Sequence, residues 1–154
     1  MRRPQETKPA RQPLAARQDI VANLSAVPRL GSVGLLPLQT VMAFRILALC
    51  GKAGCDPICE LLRRFRSLSA VKAFLALAER AETMWPERIG LHRPCCRLLS
   101  PDENTIALVV RAASDLDREG FERVLHGFVR SERHDAIYDA AVRFVAEMET
   151  NDWQ

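Results

Sequence analysis

The residues of this chain best suited to metal or redox chemistry are its five cysteines and three histidines. Two groups stand out. The stretch Leu91–Glu103, LHRPCCRLLSPDE, places His92 three residues ahead of the adjacent pair Cys95 and Cys96. Cys55 and Cys59 stand four residues apart in CDPICELLRRF, a spacing that puts two thiols on one face when both are helical. His92, Cys95 or Cys96, Cys55 and Cys59 would together supply the mixed nitrogen and sulfur ligands of a tetrahedral zinc site. Against that, Cys55 precedes Asp56, the expected N-cap, which spoils the four-residue alignment. The spacing is also not the paired C-x2-C of a zinc ribbon, and free cysteine is among the most buried residue types. The plainer expectation is therefore a chain without a cofactor whose thiols are reduced, with a zinc or cysteine redox sensor as an alternative. Cys95 and Cys96 are poor partners for each other, because the ring that a vicinal disulfide closes is strained.

Catalytic arrangements are not evident. His126 falls between Leu125 and Gly127 on a predicted helix, where a surface or core-edge histidine is expected, and His134 reads as a helix-start residue. There is no glycine-flanked serine elbow, no G-x-x-x-x-G-K-[ST] and no G-x-G-x-x-G. ERHD and DREGFER read as the charged faces of exposed helices. No enzyme activity is expected.

Charge is distributed more tellingly than its sum of +3 suggests. Residues 1–99 carry 16 basic and 7 acidic side chains, and residues 100–154 carry 6 and 12. A basic front and an acidic back can steer toward acidic partners with one side only. Arg2, Arg3, Lys8, Arg11 and Arg17 lie in the first segment, and RRFR adds Arg63, Arg64 and Arg66. These are the candidate contacts to an acidic protein or to phosphate. The helix that follows SPDENTIALVVRAA carries too many acids and apolar residues for a major-groove surface, which weighs against helix-turn-helix recognition.

These residues must be positioned by helices. With 48% hydrophobic but only 6% aromatic residues, the core rests on Leu, Val, Ala, Ile and a few Phe, a mix that favours helix. Residues 1–34 read as a flexible basic tail, with a short helical turn near Ala15–Leu24, and residues 35–150 as a single helical domain. LQTVMAFRILALCG, residues 38–51, is apolar nearly all round, interrupted by Gln39, Thr40 and Arg45, and belongs in the middle of a bundle, with Gly51 and Gly54 as stops. A second helix starts at Asp56-Pro57 and a third at Ser69, the latter stopped by Pro86. Ser100-Pro101-Asp102-Glu103 is a capping box, which by itself accounts for LSPDE, opening a fourth helix with an apolar run to Leu116. Helices over about 119–130 and 135–149 complete the set. No segment reaches the roughly 18 apolar residues of a membrane span, and Met1–Gln18 lacks the apolar core of a signal peptide, so a cytoplasmic chain without membrane contact is expected.

A buried front helix, an RR-containing middle and PCCRLLSPDE running into a helix resemble a small alphaproteobacterial family whose members carry Pro-Cys-Cys ahead of a (Ser/Thr)-x-Asp-Glu helix start. The likeness spans about Leu38–Glu149 and rests on Pro94, Cys95, Cys96, Asp102 and Glu103, with Arg97 where members often show a third cysteine. The resemblance implies an all-helical bacterial cytosolic domain and, the family's function being unknown, points to no particular activity. The sequence thus predicts an all-α, compact bundle of five to six helices with a disordered basic N-terminal tail. Its expected role is that of a small regulatory or adaptor protein binding a protein partner. The alternative is a nucleic-acid-associated regulator using the tail and the Arg63–Arg66 region. The apolar first helix also leaves room for a homo-oligomer.

Overall fold

The computed structural model describes residues 27–151. Arg2, Arg3, Lys8, Arg11, Arg17 and the helical turn expected near Ala15–Leu24 lie outside the described residues. The described chain forms six α-helices: α1 (Leu35–Ala53), α2 (Ile58–Phe65), α3 (Leu68–Met84), α4 (Pro101–Ser114), α5 (Arg118–Leu125) and α6 (His134–Asn151). Short 3-10 turns occur at Leu30–Ser32 and Ser131–Arg133. Among the described residues there is no strand, and an isolated antiparallel bridge joins Arg29 to Leu98. The all-α bundle expected from sequence is the architecture found.

The helix ends follow local chemistry, with several corrections to the sequence reading. α1 starts at Leu35 rather than Leu38, because Gly34 turns the chain at φ 84° and Pro37 is accommodated in the first turn, where its missing N–H costs nothing. It runs through Gly51 and stops at Gly54, which takes the left-handed conformation (φ 68°). With these additions α1 is 19 residues long and, by length and composition alone, apolar enough to cross a membrane, contrary to the count made from sequence. In the fold it is instead a bundle helix that packs along α4 and buries Thr40 and Arg45. The cap of α3 is Ser67, not Ser69: Ser67 Oγ accepts from the Ala70 N–H at 3.2 Å. Asp56 sits one residue outside the cap of α2 and still accepts from the Ile58 N–H at 3.0 Å. The capping box of α4 forms as read. Leu116 does not continue its apolar stripe. It lies past the helix end at φ 52°, 69% exposed. α5 ends at Leu125, five residues before the expected limit, because the chain turns at Gly127 (φ 72°).

The core is aromatic at its centre. Phe74 meets Phe44, Phe65 and Phe144 edge-on, with ring centroids 5.2, 5.5 and 5.8 Å away, tying α1, α2, α3 and α6 together. Each such pair adds about 0.5–1.5 kcal/mol beyond the area it buries. α3 packs along α6, and α4 is flanked by α1, α5 and α6. Leu61, Leu77, Val110, Phe121, Leu125 and Ile137 fill the remainder. His134, read as a helix-start residue, is the first residue of α6 and is buried, with Nε2 2.9 Å from the Val129 carbonyl oxygen.

Candidate functional site

The connector between α3 and α4, which contains His92, Cys95 and Cys96, is held by three charged side chains. Arg45, in the middle of an otherwise apolar helix, is 1% exposed. An ion of that kind is tolerated in an interior only when paired and fully hydrogen-bonded. Arg45 Nε donates to Glu103 Oε1 at 2.7 Å and Nη2 to Glu103 Oε2 at 2.8 Å, a two-pronged pair across 58 residues of sequence. The remaining donors reach the connector backbone: Nη1 to the Cys96 carbonyl at 2.6 Å and the Arg93 carbonyl at 3.3 Å, Nη2 to the Leu98 carbonyl at 2.8 Å. Glu103 in turn accepts the His92 N–H on Oε1 and the Ser100 N–H on Oε2, both at 2.9 Å. Asp102 accepts the Gly90 N–H at 2.6 Å and the Trp85 indole N–H at 3.1 Å. Ser100 Oγ closes the loop by donating to the Gly90 carbonyl.

HRPCC and LSPDE work as one unit. Glu103 does more than cap α4: it is also the counter-ion of Arg45. Burial works to raise the Glu103 carboxyl, and the Arg45 guanidinium with the Ser100 and His92 N–H groups overrides it, holding the group below the usual carboxylate range. The hydrogen bond that Arg45 donates to Glu103 raises Arg45, against the opposing effect of burial. The connector engages this clasp through backbone atoms of His92, Arg93, Cys96 and Leu98, and the His92 and Cys95 side chains remain exposed. Residues 28–30, read from sequence as the end of the tail, lie along its far edge. Leu30 N–H donates to the Arg97 carbonyl at 2.8 Å and Leu99 N–H to the Pro28 carbonyl at 2.9 Å.

The proposed zinc ligands are not gathered. Cys55 precedes α2 and Cys59 lies in its first turn, both exposed, so the four-residue alignment is lost. Among the described residues no group of three or more His, Cys, Asp or Glu side chains is placed to hold a metal ion. His92, Cys95 and Cys96 therefore do not meet Cys55 and Cys59.

The arginines of RRFR are brought into one groove. Phe65 points into the core and Arg66 takes the left-handed conformation (φ 58°) that ends α2. Arg63, Arg64 and Arg66 then border a depression of about 680 Å³. Its floor and walls come from Leu35, Leu36 and Gln39 of α1 and Met148, Glu149 and Asn151 of α6. Arg63 is exposed and makes a loose 3.3 Å pair with Glu60 on its own helix. The Arg64 Nε is fully buried and has no hydrogen-bond partner among the described residues. Leu35, 69% exposed, gives the groove an uncovered apolar lip.

The sequence reading named Arg63, Arg64 and Arg66 but missed Arg45, passing it over as an interruption of an apolar helix. One charge inside such a helix is itself a signal, since it demands a buried counter-ion. No family model matches this chain, and no curated protein or solved structure matches it either.

Proposed function

We propose that this chain works by binding rather than by catalysis, holding an acidic, amphipathic segment of a protein partner in the groove bordered by Arg63, Arg64 and Arg66. The observation that carries the reading is the convergence of Arg63, Arg64 and Arg66 on one groove beside an apolar lip. A carboxylate entering the groove would form charge-assisted bonds with the guanidinium groups that border it. Leu35, Leu36 and Met148 offer apolar contact for side chains of the same segment. Nucleic acid suits the groove less well, since Glu149 in its wall repels phosphate and an apolar floor contributes nothing to a sugar-phosphate backbone.

The test is fluorescence anisotropy of the full chain with a labelled helical peptide of Glu and Leu, run beside a labelled DNA duplex. A charged hydrogen bond of about 1.5–3 kcal/mol corresponds to a roughly 10- to 150-fold loss of peptide affinity in Arg64→Gln. Peptide binding indifferent to Arg64→Gln would overturn the reading. Duplex binding that falls with the same substitution, in the absence of peptide binding, would replace it with the nucleic-acid reading.

A further inference from the structure

The end of α1 carries an arrangement that the motif around Cys95 and Cys96 draws attention away from. Gly54, left-handed at φ 68°, closes the helix, and the next residue, Cys55, donates its N–H back to the Cys50 carbonyl at 3.0 Å. This six-residue return is the Schellman geometry, in which the side chains at its two ends come into contact. In most helices that contact is between two apolar residues, and here both are cysteines. One N–H···O=C bond between the two backbones keeps their Cα atoms within the roughly 4.4–6.8 Å that a disulfide spans. The two thiols differ in access: Cys50 is buried and Cys55 is exposed.

We propose that Cys50 and Cys55 form an oxidisable dithiol that hydrogen peroxide converts to an intramolecular disulfide across the C-terminal cap of α1. Cys55 is the sulfur that solvent reaches. Its thiolate attacks a peroxide oxygen, an S–O bond forms, the O–O bond breaks, and the departing hydroxide leaves as water after taking a proton. Cys50 then attacks the sulfenic sulfur. The S–S bond forms, the S–O bond breaks, and the second hydroxide takes the Cys50 proton and leaves as water. The two thiols give up two electrons in total, and the peroxide accepts them. The Cys55 thiol as hydrogen-bond partner, then burial, push the Cys50 thiol up to about 11, which makes Cys50 a poor first nucleophile toward peroxide. The disulfide would fix the α1–α2 turn in its present form, since Gly54 must stay left-handed for the ring to close. The proposal is independent of the acidic-partner reading.

Tryptic mass mapping of the full chain after hydrogen peroxide, with free thiols alkylated under denaturing conditions, reads this directly. Trypsin cuts after Lys52, so Cys50 falls in residues 46–52 and Cys55 in residues 53–63. The expected product is these two peptides joined and two hydrogen atoms lighter than their sum, split again by reductant. The joined pair should persist in Cys59→Ser and vanish in Cys55→Ser, an exposed position where the change does not touch the core. Absence of the joined pair would overturn the proposal. So would a joined pair that survives Cys55→Ser, because Cys59 would then be the partner of Cys50.

Discussion

Replacing Glu103 by Gln is the sharpest probe of the clasp. Both side chains of the Arg45–Glu103 pair have no exposed surface. Four N–H donors converge on the carboxylate: Arg45 Nε and the His92 N–H on one oxygen, Arg45 Nη2 and the Ser100 N–H on the other. A glutamine keeps one accepting oxygen and turns an NH₂ toward the other two donors, whichever way its amide points. Two donors lose their acceptor and Arg45 is left as a buried cation without a counter-charge, which costs about 3–5 kcal/mol. Single domains are stable by only about 5–15 kcal/mol, so this is a large fraction of the whole. At roughly 4 °C per kcal/mol for a domain of this size, the thermal midpoint should fall by about 12–20 °C. Urea unfolding followed by circular dichroism measures the cost, and a double-mutant cycle assigns it. Arg45→Met alone orphans Glu103, so Arg45→Met with Glu103→Gln should cost about 1–3 kcal/mol less than the two single changes added together. A loss below about 1 kcal/mol in Glu103→Gln, or strict additivity in the cycle, would refute the assignment of the pair as the lock on the connector.

Other outcomes follow from the same contacts. Because folding lowers the Glu103 pKa, its contribution is complete above the unfolded carboxyl value of about 4.3 and is lost as pH falls through the lower folded value. The urea midpoint of the wild type should therefore drop more steeply than that of Glu103→Gln as pH is taken from about 6 to 3, and parallel curves would contradict this. Ser100→Ala, which removes the cap and the bond to Gly90, should cost about 1–2 kcal/mol. Cys95→Ser should stay within about 0.5 kcal/mol, since the exposed Cys95 side chain has no part in the clasp. Chemical denaturation of the two variants side by side tests the contrast. Leu116→Gly should be neutral or stabilising by up to about 1 kcal/mol despite the loss of a leucine. The residue is largely exposed, and glycine relieves its left-handed backbone. A melting temperature lowered by several degrees would show that Leu116 makes contacts its exposure does not suggest.

What the sequence by itself determined is local. Apolar periodicity set the helices, and Ser100 with Glu103 set the start of α4, because a cap is complete within four residues. Gly54 set a stop for the same reason. The places where the sequence reading went astray are those where two signals competed nearby, as with Ser67 against Ser69, or where one backbone angle decided, as at Leu116. What only the tertiary structure decided is partnership. Nothing near Arg45 in the chain names Glu103, and nothing near Arg64 names Leu35 and Met148 as its neighbours across the groove. The side chains of HRPCC drew attention as ligands, whereas their backbone atoms became the acceptors and donors of the clasp. Periodicity tells which face of a helix is buried and leaves open what it is buried against. That choice is made by packing, in which a lone buried charge must find its counter-ion wherever the fold has placed it.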